Sequence, residues 1–274
     1  MHVSALCVYP LKSAAGIPLS VMPLDERGPL FDRRWMLIDD DGRFISQREQ
    51  ARLSIVTTSI CDDRLVVASR ERERFVVPEL APDAPRIRAT IWDDVVDVVH
   101  VGADADSWFS DALETSCRLV YFPDDSIRIA DRTFNPEGRP VGLADGFPLL
   151  LIGEASNDEL NDRIVGRGGA ALPMNRYRPN IVVAGAAPWA EDGWQTIQIG
   201  GETGVQLSLV KPCARCAIPT IDQETGRKGK EPLATLATYR RGPDGSVFVG
   251  QNAIHDGPGI LRVGDGVVVS NAVS

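Results

Sequence analysis

The segment Lys211-Pro212-Cys213-Ala214-Arg215-Cys216 sets two thiols among two cations, at the end of a strand-like run over 205–210. Positive neighbours favour the thiolate, the form that attacks electrophiles and binds soft metals. A Cys-x-x-Cys pair has three chemical readings. A closed zinc site wants four ligands; this chain has no second such pair, and His2, His100 and His255 are scattered. A thioredoxin-like pair opens a helix within a βαβ unit, whereas strand-like runs flank this motif. A single metal-binding or nucleophilic thiolate with a companion cysteine remains, against two cysteines packed in a core.

Other residues could serve such a thiolate. Lys12-Ser13, on a loop after the first strand-like run, offers an ammonium and a hydroxyl suited to a phosphate. Arg33, in Asp32-Arg33-Arg34-Trp35, can fork onto a phosphate or pair with Asp32 at the surface. Arg178 precedes Pro179, which stiffens the turn leading to Asn180. Gly250-Gln251-Asn252 brings side-chain amides fit to read the edge of a heterocycle. Taken alone, Lys12-Ser13 and Arg33 read as solvated surface, the other two could be decoration, and His255 reads as a loop histidine.

The elements that must position these residues are mostly strands. Short β-branched runs broken by Gly, Pro and Asp about every ten residues give the pattern of a barrel or sandwich. A hairpin is expected over 34–38 and 43–46 around Asp41-Gly42. Further strands are expected at 65–68, 86–92, 94–101, 147–152, 180–183, 196–199, 205–210 and 260–269. Trp108, Phe109, Ala112 and Leu113 recur at helical spacing, which predicts a core-facing helix over 105–116. Ser156 and Glu159 have capping-box spacing for a second helix to about 164. The polar stretch 123–142 suggests a boundary, giving domains 1–122 and 123–274.

Composition narrows the function. With 43% hydrophobic and 24% charged residues the chain is an ordinary globular protein. A formal net charge of -9 argues against nucleic acid or anionic lipid as partner, so cations beside a reactive group gain weight. No run approaches the ~20 apolar residues of a membrane span, and the N-terminus lacks a signal sequence, which predicts a cytoplasmic protein without a membrane anchor. Five cysteines, with only Cys213 and Cys216 close together, do not form a disulfide framework; Cys7, Cys61 and Cys117 are expected to be buried and inert.

In this order, YPLKS (9–13), DRRW (32–35), ADGFPLLL (144–151), EAS (154–156), YRPNIVV (177–183), KPCARC (211–216), EPLATLATYR (231–240) and GQN (250–252) resemble the MOSC family, named for the molybdenum cofactor sulfurase C-terminal domain. The resemblance runs almost end to end and is to the bacterial and mitochondrial amidoxime-reducing branch. It implies a mainly β (α+β) fold: an N-terminal β-rich MOSC domain and a C-terminal MOSC β-barrel with a few short helices. It further implies that the molybdenum cofactor (molybdopterin) lies between them and that Cys216 ligates the metal, with Cys213 a neighbour. Lys12, Ser13, Arg33 and Arg178 match contacts to the pterin and its phosphate, and Asn180, Ala214 and Arg215 match residues lining the same pocket. Gly146 and Phe147 stand where mitochondrial relatives carry Thr-Ser, leaving only main-chain contacts there. Asp145 is a candidate proton relay, set against a plain turn aspartate. The implied activity is reduction of small N-hydroxylated compounds. Electrons would come from a separate donor, a flavin reductase with an iron–sulfur or haem protein, because no cluster-binding cysteine module is present. The rival reading is a non-catalytic cofactor carrier or a sulfur-transfer protein with a persulfide on Cys216.

Overall fold

Alternation of apolar and polar residues places one face of each strand in a core, and the largest sheet shows this directly. Along Val205–Ala214 the residues Val205, Leu207 and Leu209 point inward, while Gln206 is exposed. A computed structural model describes residues 1–70, 72–81 and 83–272 of the chain. Its eight-stranded sheet runs Val267–Ala272, Trp194–Ile199, Val205–Ala214, Phe248–His255, Leu149–Gly153, Ile181–Ala184, His2–Val8 and Ile17–Leu19. Neighbours are antiparallel except Leu149–Gly153 and Ile181–Ala184, a parallel pair joined through the helix Glu154–Gly166. The sheet curls until the start of His2–Val8 meets the turn before Val267–Ala272. His2 bridges Gly266, Val3 N donates to Asp265 O (2.9 Å), and Val267 N donates to Met1 O (3.0 Å).

A four-stranded sheet, ordered Trp35–Ile38, Arg118–Tyr121, Asp94–His100 and Arg86–Ile91, carries the helix Ala103–Leu113. Phe109 and Leu113 of that helix pack with Leu37, Leu53, Leu65 and Leu119 in a second core. Smaller sheets complete the fold: Thr57–Cys61 with Arg64–Ser69 and Arg72–Val76, and Gly259–Arg262 with Val21–Asp25 and Gly28–Pro29. The architecture is mainly β with few short helices, as the turn spacing predicts. Among the described residues, no helix is long and apolar enough to cross a membrane.

Several local expectations change. The 43–46 return of the first hairpin shrinks to an isolated bridge, Ile38 to Phe44, flanked by Asp39 N donating to Arg43 O (2.9 Å) and Ile45 N donating to Leu37 O (2.8 Å), while Phe44 N donates outward to Thr90 O (3.0 Å). Ser156 is not a cap. The second helix starts at Glu154, directly after its strand, and the Ser156 hydroxyl donates to the buried Glu191 carboxylate (2.8 Å). The strand expected at 260–269 is two strands separated by the turn through Gly264. Phe248–His255 is a strand that the pattern does not predict, since Gly250-Gln251-Asn252 are poor strand formers. Of the three cysteines expected to be buried, only Cys117 is, and burial pushes its thiol up to about 11. Cys7 is half-buried, and Cys61 is exposed at the hairpin end of the Thr57–Cys61 strand, paired with Arg64.

Candidate functional site

Lys12, Ser13, Arg33, Asp145, Gly146, Phe147, Arg178, Asn180, Ala214, Arg215 and Cys216 all line one cavity, together with Cys213, Tyr177 and Asn252. Three loops bring the cations there, each through a residue in the left-handed region: Ser13 (φ 70°), Arg33 (φ 46°) and Arg178 (φ 58°). Side chains other than Gly and Asn rarely adopt it, and it persists where surrounding contacts over-determine it. Those contacts are present. Gln47 Nε2 donates to Ser13 O (2.6 Å), Arg33 N to Tyr9 O (2.9 Å), and Arg178 Nη1 to Ala14 O (2.5 Å). The guanidiniums of Arg33 and Arg178 both stack on the Tyr9 ring, 4.4 and 4.2 Å from its centre.

The buried Asp32 anchors this arrangement. Its carboxylate pairs with Arg33 and accepts from Tyr9 N (2.8 Å) and Asn180 Nδ2 (3.2 Å). Asn180 Oδ1 in turn accepts from Arg33 Nη1 and Leu150 N, both at 3.2 Å. Asp32 is thus an interior partner, not the surface one that sequence allows, and Asn180 spends its amide on fixing the wall. Burial pulls the Arg178 guanidinium down to about 10.

Lys12 is 4% exposed, and its ammonium donates to Leu143 O (2.9 Å) and to the Asp145 carboxylate. Burial outweighs that partner and lowers the Lys12 pKa to about 8. For Asp145 the balance is opposite: burial works to raise its pKa, but Lys12, aided by Arg48 and Arg33, holds it well below the ordinary carboxylate range. The loop carrying Asp145 is pinned by the buried Arg128, which donates to Gly142 O (3.0 Å), Ala144 O (2.5 Å) and Asp145 O (3.0 Å). Sequence gave no sign of this role, since Arg128 lies in the polar stretch that reads as a boundary.

The two cysteines have different surroundings. Cys213 is half-buried at the end of its strand and accepts from Arg215 Nη1 (3.0 Å), while Arg215 Nη2 donates to Tyr177 O (2.7 Å). Cys216 is exposed, past the strand end, with Arg48 Nη1 3.7 Å from its sulfur. Of the 250–252 motif only Asn252 reaches the cavity; Gln251 is buried against Asp192 (2.9 Å). His255 is buried with Nδ1 2.8 Å from Gly257 O.

A molybdenum–pterin group, if bound here, would meet a matching donor set. Arg215 and Tyr177 line the cavity, and Lys12 has donor capacity beyond its two bonds. Among the described residues, no group of three or more His, Cys, Asp or Glu could hold a metal ion unaided. The set suits a metal that brings most of its ligands and takes one thiolate from the protein.

Residues 1–116 match the MOSC N-terminal beta barrel domain and residues 138–268 match the MOSC domain. Mitochondrial amidoxime-reducing component 1 of Mus musculus is 32% identical over 283 residues, spanning 97% of this chain and 81% of that protein. Its Homo sapiens counterpart is 30% identical, spanning 97% and 82%. The molybdenum cofactor sulfurase of Oryza sativa subsp. japonica is 29% identical across 88% of this chain, which spans 31% of that longer protein. Two family models covering most of the chain, and relatives matched nearly end to end, make the chain a member of the MOSC family.

Proposed function

We propose that the cavity holds the molybdenum cofactor, with Cys216 as the protein's ligand to the metal, and that the protein reduces N-hydroxylated compounds such as amidoximes and hydroxylamines. The observation that carries this reading is one exposed thiol at the lip of a recess walled by Lys12, Arg33, Arg178 and Arg215, in a chain of net charge -9. Cations held in a recess at a desolvation cost suit an anionic ligand. The relatives named amidoxime-reducing components support the reaction class.

The balanced reaction is R–NHOH + 2 H⁺ + 2 e⁻ → R–NH₂ + H₂O: the N–O bond breaks and water leaves. The bound cofactor would supply the two-electron chemistry. Electrons arrive from a separate donor protein, a flavin reductase with an iron–sulfur or haem protein. The chain's own part is to bind and orient. Lys12, Ser13, Arg33 and Arg178 hold the anionic end, Ala214, Arg215, Gly146 and Phe147 shape the wall, and Asn180 fixes it. Asp145 stays ionised beside Lys12, so the ion pair, with its proton on Lys12 Nζ, is the unit that relays protons.

The test is molybdenum content of wild type and Cys216→Ser from a host that makes the cofactor, followed by benzamidoxime turnover with a chemical reductant. Near-stoichiometric metal, lost in the variant, with turnover in the wild type, is expected; metal in neither protein overturns the reading. The rice relative supports a second reading, cofactor carriage or sulfur transfer. Metal without turnover under any donor selects the carrier, and a persulfide on Cys216 in intact-mass spectra selects sulfur transfer.

A further inference from the structure

Arg48 lies outside the cationic set that walls the cavity, yet its side chain ends on the exposed thiol at the lip. Arg48 Nη1 donates to Cys216 Sγ at 3.7 Å, and among the described residues that sulfur is the one hydrogen-bond partner of its guanidinium. The companion Cys213 takes a different donor, Arg215 Nη1 at 3.0 Å. A long side chain on a turn ordinarily keeps much rotamer freedom, but this one is clamped. The guanidinium lies 4.4 Å from the centre of the Trp92 ring and 5.6 Å from that of Phe44, and the two rings are 5.2 Å apart. The backbone is held as well: Arg48 N donates to Ser46 Oγ (3.3 Å), Gln50 N to Ser46 O (2.8 Å), and Lys228 Nζ to Arg48 O (3.0 Å).

Trp92 sits where a large side chain is unexpected. With Asp93 it forms the two-residue turn between Arg86–Ile91 and Asp94–His100, at φ 55°. Hairpins usually give such a position to Gly, Asn or Asp, and other residues are strained there. Burial does not account for the indole, which is 47% exposed; its contact with Arg48 does. A hydrogen bond to a metal-ligating sulfur draws electron density off the thiolate, weakens its donation to the metal and favours the reduced state. We propose that Arg48 is a redox-tuning residue, whose N–H···S bond to Cys216 raises the potential of the metal bound there, and that Trp92 and Phe44 are positioning residues that hold the guanidinium on the sulfur. The redox role rests on the function proposed above, in which Cys216 ligates molybdenum; the contact between Arg48 and the sulfur does not.

The contact is tested on cofactor-free protein by alkylating Cys216 with iodoacetate and with iodoacetamide. The two reagents share a leaving group and differ in charge, so their rate ratio at one thiol cancels its thiolate fraction and reports the charge beside it. Peptide mass spectrometry follows Cys216 and, as internal control, Cys61, which has its own arginine, Arg74, at 3.7 Å. The iodoacetate-to-iodoacetamide ratio at Cys216 should fall about fivefold in Arg48→Met, the effect of one charge at roughly 4 Å in water. In Trp92→Gly, which suits the turn backbone and leaves the arginine without its platform, it should fall part of the way. Cys61 should not change. A Cys216 ratio that holds in Arg48→Met takes Arg48 off the sulfur and overturns the proposal.

The tuning is tested on metal-loaded protein through the midpoint potential of bound molybdenum, followed by electron paramagnetic resonance in a reductive titration. Arg48→Met is expected to keep its metal and to favour the reduced state about tenfold less, a drop of about 59 mV for one electron. Trp92→Gly should drop by less. Arg48→Lys returns the charge without the planar fork and should stay low. An unchanged potential in Arg48→Met overturns the proposal, as does full recovery in Arg48→Lys, which would assign the effect to charge alone, or loss of metal from Arg48→Met, which would make Arg48 a binding contact. Metal missing from the wild type as well would instead sink the function proposed above and the redox role with it, while the alkylation ratio would still decide the contact.

Discussion

Lys12 and Asp145, 133 residues apart, form an ion pair in which the ammonium is buried and the carboxylate opens to the cavity. The pair is asymmetric: Lys12 is brought down to about 8 by burial, while Asp145 is held ionised. The wall therefore carries a cation whose charge is present below pH 8 and fades above it.

Binding of sulfate, whose charge is constant over this range, to cofactor-free protein should follow that charge. Affinity is expected to be flat well below pH 8 and to fall as Lys12 deprotonates through about 8, because the neutral amine offers no Coulomb attraction. Asp145 raises the Lys12 pKa, so Asp145→Asn should move the midpoint lower and tighten binding at acid pH by removing a like charge. Calorimetric titration across this range checks both, and Lys12→Gln should lack the step; a step that survives in Lys12→Gln belongs to another group.

The cysteines should separate cleanly. Cys213 is engaged by Arg215 at 3.0 Å, whereas Cys216 is exposed at the lip. Cys213→Ser is expected to retain most of the molybdenum and Cys216→Ser to lose it, as read by elemental analysis. The reverse result would exchange their roles.

Removing Asp32 should be costly. It is the carboxylate partner of the half-buried Arg33 and an acceptor for Tyr9 N and Asn180 Nδ2. Stranding a buried charge typically costs about 3–5 kcal/mol, so Asp32→Ala should lower the urea midpoint strongly, and Asp32→Asn less. A shift within error would mean that water replaces the carboxylate there.

Gly250 should not tolerate a side chain. Its φ is 75°, and a Cβ would lie 2.7 Å from Leu151 O and 2.6 Å from Ile152 Cγ1. Gly250→Ala is expected to destabilise by more than about 1 kcal/mol. Gly201→Ala, at φ 82° with open space around it, should cost less. Thermal unfolding compares the two.

Much of the site was legible because its chemistry is concentrated in short segments: 9–13, 32–35, 177–183 and 211–216 each carry a cavity residue. Strand character in 205–210 was legible from its alternation. What could not be read depends on contacts between distant segments. Arg128 reaches three carbonyls and Arg48 a sulfur, but in sequence each is an arginine in a polar stretch. The Phe248–His255 strand is held by neighbours on both sides, Val205–Ala214 and Leu149–Gly153, rather than by its own propensity.

The pairing of His2–Val8 sets a condition on biosynthesis. One edge is met at once by the nearby Ile17–Leu19, but the other waits for Ile181–Ala184, and the seam through His2 and Val3 waits for residues 264–266. Until those segments leave the ribosome, the nascent chain carries an open strand edge, free to join the same edge on a chain from a neighbouring ribosome. Yield in a cell should therefore respond to translation rate and chaperone supply more sharply than the stability of the finished fold indicates.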